Sequence, residues 1–115
     1  MTTYSGSCHC GAISFTFDGE IDQVVDCNCS YCLRQGRLLT FVGGSAFRVN
    51  AAEGALGTYM FNRNVIAHHF CTRCGVATHS GGPGPNGPMH AVNVRCVEGV
   101  DFDALAINKF DGAHI

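Results

Sequence analysis

The spacing of the cysteines constrains this chain more than any other feature of its sequence. Eight of the 115 residues are cysteine, and seven of them stand in three tight clusters: CHC at 8–10, CNCSYC at 27–32 and CTRC at 71–74. Cysteines that lie so close along the chain are poor disulfide partners for each other and good ligands for one metal ion. Thiolate pairs on tight turns are typical of structural zinc, which takes four ligands at about 2.3 Å. We therefore predict zinc in preference to a disulfide framework or an iron–sulfur cluster.

The seven clustered cysteines divide into a set of four and a set of three. A structural zinc is closed by four protein ligands, whereas a catalytic zinc commonly keeps one position open. The first set, which would join the start of the chain to the later cysteine turn, consists of Cys8, Cys10, Cys71 and Cys74. The second set, which would leave one position of its ion free, consists of Cys27, Cys29 and Cys32. The sequence thus predicts two zinc ions per chain.

The fourth position of the second zinc has two interpretations. It is open to water, a side chain or a substrate thiol, or it is filled by a histidine, which would make both sites structural. None of the six histidines stands out as that ligand; they are His9, His68, His69, His79, His90 and His114. His69 shares a predicted strand face with Cys71, so it can approach the first site or simply pack there.

The eighth cysteine, Cys96, stands apart from the clusters. It shares a predicted strand face with Val92 and Val94. This pattern favours a buried small hydrophobe over a reactive thiol.

Short β-prone runs and brief helical turns dominate the rest of the sequence. Residues 11–18, GAISFTFD, alternate between apolar and small or polar side chains, which is the pattern of a half-buried strand. Residues 38–42 and 46–49 are separated by two glycines and predict a hairpin. One helical turn is predicted over 31–35 and another over 101–105, with Asp101 as its N-cap.

A second hairpin is predicted over residues 58–61 and 65–70, joined by Asn62–Asn64. It leads directly into CTRCG, where Gly75 can adopt the positive φ of a zinc knuckle.

Two further strands are predicted at 76–79 and 89–97, and between them lies SGGPGPNGP at 80–88. This segment holds all three prolines, so we predict an exposed loop, either a simple connection or a lid beside a site. The pattern as a whole predicts a mostly β chain with a few short helical turns, organised around metal.

Length and charge exclude several classes of function. A chain of 115 residues fits one domain, here residues 1–115. Seven Lys and Arg against nine Asp and Glu give no field that attracts nucleic acid, and seven thiolates on two zinc ions would take the formal charge from −2 to about −5. No stretch approaches the roughly 20 apolar residues of a membrane span, and the first residues lack a signal-peptide pattern. We expect a cytoplasmic protein with a small-molecule partner and no nucleic-acid or membrane partner.

The order of these motifs resembles one known family. GSCHCGAISF, CNCSYCLRQG, HHFCTRCG, AVNVRCVEGVD and KFDG follow one another over nearly the whole chain. Together they resemble the glutathione-dependent formaldehyde-activating enzymes, a family that includes centromere-protein-V-like proteins. The resemblance implies a β-tent fold of small antiparallel sheets, similar to that of methionine-R-sulfoxide reductases. It also implies that the four-cysteine set holds a structural zinc and the three-cysteine set the catalytic zinc.

The function that this resemblance implies is carbon–sulfur lyase chemistry on a thiol adduct. A small thiol, glutathione in the family's implied case, would bind the open zinc position as a thiolate and add to a carbonyl such as formaldehyde. Arg34 and Arg37 follow the three-cysteine set and either hold substrate carboxylates or are solvated. Two other classes stay open: a zinc-stabilised binding module without catalysis, and a thiol redox enzyme that uses Cys96.

Overall fold

Ten β-strands and one short helix form the part of the chain that the computed structural model describes, residues 2–61, 65–85 and 87–112. The strands are β1 Thr2–Ser7, β2 Ile13–Gly19, β3 Gln23–Cys27, β4 Leu39–Gly43, β5 Phe47–Ala51, β6 Leu56–Tyr59, β7 Ala67–Cys71, β8 Ala77–Gly84, β9 Gly87–Asn93 and β10 Ala106–Phe110. The helix α1 is Ser30–Gln35, and 3-10 turns cover Gly44–Ala46, Val94–Cys96 and Phe102–Ala104. The prediction of a mostly β chain with few helical turns is confirmed.

The strands form two sheets. One has three strands in the order β1-β2-β5, and the other has seven in the order β10-β3-β4-β9-β8-β7-β6. The small antiparallel sheets that the resemblance implies are present, and one parallel pair, β10 with β3, makes the larger sheet mixed. Parallel strands need a long connection between them. Here the connection is the whole of the chain from the end of β3 at Cys27 to the start of β10 at Ala106. This pairing brings the end of β10 beside the end of β3, where the three-cysteine cluster begins.

Alternation along β2 buries one of its faces in the core. Ile13, Phe15 and Phe17 are at most 2% exposed, as the period-two pattern predicts. Phe15 packs against Phe47 of β5 with ring centroids 5.7 Å apart, and Tyr4 of β1 stacks on Phe17 at 5.3 Å. The same cluster includes valines of β4 and β9. The two sheets therefore share one core, in which each large side chain contributes about 1.5–3 kcal/mol.

The first predicted hairpin is wrong. A 3-10 turn does join β4 to β5, but the two strands belong to different sheets. β4 pairs with β3 on one edge and β9 on the other, whereas β5 pairs with β2. Because both edges of β4 are occupied, the chain crosses to the other sheet, where Phe47 becomes buried against Phe15.

The prediction of an exposed loop over residues 80–88 is also wrong for most of that segment. β8 and β9 remain paired as far as Gly84 with Gly87. The neighbouring strand β7 pairs with β8 only as far as Gly81, and β4 pairs with β9 only as far as Met89. Proline is tolerated in this hairpin because its tip projects beyond the pairing with β7 and β4, and none of the strands in the described ranges needs its N–H groups there.

Other local predictions hold. β6 and β7 form the second hairpin, whose connection Asn62–Asn64 lies outside the described residues. Asp101 caps the 3-10 turn that follows it. The strand predicted over 89–97 ends early, at Asn93, where another 3-10 turn begins. Within the described ranges, no helix is long and apolar enough to cross a membrane.

Candidate metal centres

The first cysteine cluster lies where the chain enters β2 and leaves β7. Its sulfur atoms, which lie within 4.8 Å of one another, are those of Cys8, Cys10, Cys71 and Cys74. The Sγ of Cys10 is 3.8 Å from that of Cys8 and 3.6 Å from that of Cys71. A tetrahedron of Zn–S bonds of about 2.3 Å has edges of about 3.8 Å. The four thiols therefore fit a single zinc ion.

The turn after β7 directs backbone N–H groups at sulfur. The N–H groups of Arg73 and Cys74 donate to the Sγ of Cys71 at 3.3 and 3.4 Å. Gly75, with a φ of 82°, closes the turn through its N–H, which donates to the carbonyl of Cys71 at 2.8 Å. This is the knuckle geometry that the sequence predicts.

These N–H groups decide which thiols ionise most readily. The bond from the Cys74 N–H lowers the pKa of Cys71, and the bond from the Val76 N–H is the main reason that the pKa of Cys74 falls to about 6. The N–H of Ala12 acts to lower the pKa of Cys10, but burial and the neighbouring thiols outweigh it and raise that pKa to about 11. A bound cation would favour the thiolate at every position.

The first cluster fastens the two sheets together. Cys8 and Cys71 are 2% and 0% exposed, and they pack with Ile13 and Ala55 in a small buried cluster. The N–H of Thr72 donates to the carbonyl of Ala55 at 2.8 Å. An ion here closes a loop of roughly 60 residues, so its binding free energy adds directly to folding.

The second cluster lies between the end of β3 and the start of α1. The sulfur atoms of Cys27, Cys29 and Cys32 lie within 4.8 Å of one another. The N–H of Cys29 donates to Cys27 Sγ, and that of Cys32 donates to Cys29 Sγ, both at 3.4 Å; the second bond makes Cys29 the N-cap of α1. Among the residues that the structure describes, no histidine or carboxylate joins this group. The cluster therefore offers three thiolate ligands, and these suit zinc.

The end of β10 packs directly on this second cluster. The N–H of Asn28 donates to the carbonyl of Phe110, and the side chain of Asn28 donates to Asp111, both at 3.1 Å. At Gly112 an added Cβ would lie 2.6 Å from the Sγ of Cys27. The FDG sequence therefore belongs to the site, and glycine is required there by the close approach to sulfur.

Arg37 is the buried charge of the site, at 2% exposure. Its Nη2 donates to Cys32 Sγ at 3.1 Å, and its Nη1 donates to Ser80 Oγ at 2.7 Å. The guanidinium lies 5.0 Å from the centroid of the Tyr31 ring. Three thiolates around a divalent zinc carry a net charge of about −1, which this guanidinium offsets.

Burial and local donors act in opposite directions on the second set of thiols. Burial raises the pKa of Cys32 to about 12, although Arg37 opposes the change. Burial also acts to raise the pKa of Cys29, but the Cys32 N–H and the neighbouring thiols outweigh it and bring that pKa below its usual value. A cation held by the three sulfurs would remove the cost that burial imposes on the thiolates.

A cavity of about 610 Å³ opens beside the second cluster. Besides the three cysteines, its described lining consists of Val25, Arg37, Leu39, Phe41, Phe61, Val65, Ile66, His68, Ser80, Ala91, Phe110 and Gly112. Part of the wall is one row across four strands, because Phe41 pairs with Ala91, Ala91 with Ser80, and Ser80 with His68. Small-molecule sites occupy roughly 300–1,000 Å³, and this cavity is of that size.

His68 and Ser80 extend a hydrogen-bond chain that begins at Arg37. Ser80 Oγ accepts from Arg37 and lies 2.8 Å from His68 Nδ1. Because a guanidinium only donates, the Ser80 hydroxyl hydrogen is left for His68 Nδ1, and the neutral ring carries its proton on Nε2. Burial, with a smaller effect of the Arg37 charge, lowers the pKa of His68 to about 4. The ring is therefore neutral at pH 7.

Two other predicted site residues lie outside the cavity lining. Arg34 is exposed, and its Nη1 donates to the carbonyl of Ser30 at 3.0 Å. That Arg34 and Arg37 hold substrate carboxylates stays a prediction. The Cys96 thiol lies 3.7 Å from the carbonyl of Ala77, and burial raises its pKa to about 11. Cys96 is half-buried and packs against the core cluster of Phe15 and Val97, so the predicted small hydrophobe is only partly buried.

The histidines divide between the cavity and other surroundings. His68 lines the cavity and was not singled out by the sequence pattern. His69 bonds Thr58 at 3.0 Å, and its ring lies 4.7 Å from that of His79 in a tilted arrangement, so it packs there and does not join the first cluster. His114 lies outside the described residues. The sequence signal for Gly112 is the FDG motif, and His68 stands in the HHFCTRCG motif of the same resemblance; Ser80 has none.

Comparison with known proteins agrees with this arrangement. The family model described as "Glutathione-dependent formaldehyde-activating enzyme" matches residues 3–106, a range that contains both cysteine clusters. Among solved structures, the crystal structure of a Rhodobacter sphaeroides protein is similar to this chain, with a TM-score of 0.76 and 28% sequence identity. That match covers 90% of this chain and 99% of the other.

Proposed function

The chain belongs to the family of glutathione-dependent formaldehyde-activating enzymes, and from this membership we propose that it is a zinc-dependent carbon–sulfur lyase that acts on thiol adducts of an aldehyde. The observation that carries the proposal is the position of the second cluster. Three thiols, with no further ligand among the described residues, gather in the wall of a cavity of small-molecule size. A catalytic zinc needs such an incomplete ligand set beside a space for substrate.

The two clusters would take different roles. Cys8, Cys10, Cys71 and Cys74 would hold a structural ion, and the other set, Cys27, Cys29 and Cys32, a catalytic one. Zinc bound by the second set supplies a Lewis-acidic position at which a thiol is present as its thiolate at neutral pH. Arg37, bonded to Cys32, keeps the charge of this site near zero before substrate arrives.

The chemistry forms or breaks one carbon–sulfur bond. In the forward direction the substrate sulfur bonds to the carbonyl carbon, the C=O π electrons move to oxygen, and the proton lost by the thiol ends on that oxygen. The reverse reaction breaks the same bond and returns thiol and aldehyde. We assign His68 to the oxygen, because its Nε2–H is a neutral donor fixed by Ser80 and Arg37 and a donor at a developing oxyanion lowers the barrier.

Exchange NMR between ¹³C-labelled formaldehyde and its S-hydroxymethyl adduct measures this step directly. Protein isolated with its metal should accelerate the exchange, Cys32→Ser should abolish the acceleration, and His68→Phe should reduce it about 100-fold or more. Cys96→Ser is the control for the redox alternative and should keep the full rate. Acceleration that survives Cys32→Ser would contradict the lyase proposal.

Cobalt substitution tests whether the fourth position is open. With cobalt in place of zinc, 2-mercaptoethanol should change the sulfur-to-metal absorption of the second site, and its S-methyl ether, which forms no thiolate, should not. His114→Ala tests the histidine interpretation. A cobalt spectrum that changes in this variant without any thiol would identify a protein ligand at that position and favour the binding module.

A further inference from the structure

The cavity beside the second cluster is lined largely by apolar side chains, which offer a polar substrate few hydrogen-bond or charge partners. Eight of its fifteen described lining residues carry apolar side chains. Four of the larger ones, Phe41, Val65, Ile66 and Phe110, are between 47% and 53% exposed. Apolar side chains left exposed around one opening mark a binding surface, and a ligand that covers them gains affinity with each carbon buried.

Arg37 is the charged side chain among the described residues of this lining, and two of its three nitrogens are already hydrogen-bonded. Its two terminal nitrogens donate to Cys32 Sγ and Ser80 Oγ, and the residue is almost fully buried. Its charge offsets the net charge of about −1 of three thiolates with zinc. The Nε of Arg37 has no hydrogen-bond partner among the described residues, but the side chain is 2% exposed. A substrate carboxylate that reached it would lose its own hydration.

The other described cations lie away from the cavity. Those absent from its lining are Arg34, Arg48, Arg73, Arg95 and Lys109. Two of them form exposed ion pairs with aspartates, and two donate to backbone carbonyls. Arg63 lies outside the described residues, so Arg63→Ala tests whether this cation contributes to binding.

We infer that the cavity takes a thiol or thiol adduct with an apolar body, alkyl or aryl, and discriminates against glutathione, which carries two carboxylates. The inference rests on the proposed function for the position of the substrate sulfur and adds the class of substrate. The sulfur lies at the three-cysteine cluster, and the apolar body covers the wall formed by Phe41, Ala91 and their neighbours. A volume of about 610 Å³ accommodates a body far larger than formaldehyde.

Spectral titration of the cobalt-substituted protein with two matched thiols tests this class. 3-Methylbutane-1-thiol and 3-mercaptopropionate have the same shape, but the first ends in two methyl groups and the second in a carboxylate. The apolar thiol should bind about tenfold tighter or more. Along ethanethiol, butanethiol and hexanethiol, affinity should rise roughly fourfold for each added methylene until the cavity is filled.

Two lysine variants locate the effect. Phe41→Lys places a cation at the cavity and should reduce the preference for the apolar thiol about tenfold or more. Val49→Lys adds the same charge at a half-exposed apolar residue of the three-stranded sheet and should leave the preference unchanged. Arg63→Ala should also leave it unchanged.

The outcomes separate the inference from the proposed function. Equal or tighter binding of 3-mercaptopropionate or glutathione, or loss of their binding in Arg63→Ala, would overturn the apolar class while leaving the lyase proposal in place. No spectral response to any thiol would remove the open position, and with it both proposals.

Discussion

Replacing Gly112 with alanine should empty the second metal site and leave the first one intact. The new Cβ would lie 2.6 Å from the Sγ of Cys27 and 3.3 Å from the Cβ of Cys29. Ordinary contacts between such atoms are about 3.5–4 Å, so the sulfur or the chain at 112 must move by about 1 Å. A zinc site tolerates deviations of about 0.2 Å in its bond lengths. Gly112 does not adopt positive φ, so the effect comes from this contact and not from backbone strain.

The magnitude follows from the kind of contact that is disturbed. Overpacking costs about 1–3 kcal/mol, and changes beside metal ligands typically cost 10–100-fold in metal affinity. Elemental analysis after dialysis against a chelator should find about two zinc ions per chain in the unaltered protein and about one in Gly112→Ala.

Gly43→Ala is the matched control for this prediction. A Cβ at Gly43 meets nothing within 4 Å, and its φ of −65° is ordinary, so this variant should keep both ions. If Gly112→Ala retained two ions with unchanged resistance to the chelator, the close approach of Gly112 to the site would be refuted.

Two further predictions concern stability. Cys71→Ser should unfold or strongly destabilise the domain, since it removes the fully buried thiol of the first cluster. Cys32→Ser should leave the circular dichroism spectrum and the thermal melt largely unchanged. Equal unfolding of the two variants would remove the distinction between the sites. His79 is 2% exposed, and burial lowers its pKa to about 3, so the unfolded chain, with a pKa near 6.5, binds the extra proton and stability falls as the pH drops below 6.5. That contribution is about 2 kcal/mol between pH 7 and pH 5. His68, whose pKa is also lowered by burial, adds a similar dependence in both proteins, so in urea unfolding His79→Leu should lose about 2 kcal/mol less than the unaltered protein over this range. An equal loss in both would contradict the assignment to His79.

The cysteine clusters were predictable because their members stand in pairs and a triplet that are local in sequence. Three thiols within six residues lie close together in any fold of the rest of the chain. The alternation of buried and exposed side chains along β2 is also a local pattern. Pairing between distant segments was not predictable in the same way. Two short runs around Gly43 fit a hairpin as well as a crossing between sheets, and no local pattern places β10 parallel to β3.

The cavity wall depends on strand register, which the sequence pattern misses at one point. Strict alternation along β7 puts His69 on the face of Cys71. The register shifts between His69 and Phe70, and as a result His68 and Cys71 are the buried residues of the strand. An irregularity of this kind re-aims side chains. It brings His68 opposite Ser80, and the hydrogen-bond chain from Arg37 becomes possible.

Both clusters consist of thiols, so the proposed difference between a structural and a catalytic site has to come from their surroundings. Around the first, four thiols complete the tetrahedron, and backbone N–H groups and small buried side chains enclose them. Around the second, the described residues offer three thiols, and one buried guanidinium would bring the charge of a zinc site there from about −1 to zero. A neutral site accepts a substrate thiolate at lower electrostatic cost than an anionic one does. Arg37 thus favours a bound thiolate, and its burial against Cys32 keeps its charge away from a substrate carboxylate. The proposed chemistry and the apolar substrate class therefore depend on the same side chain.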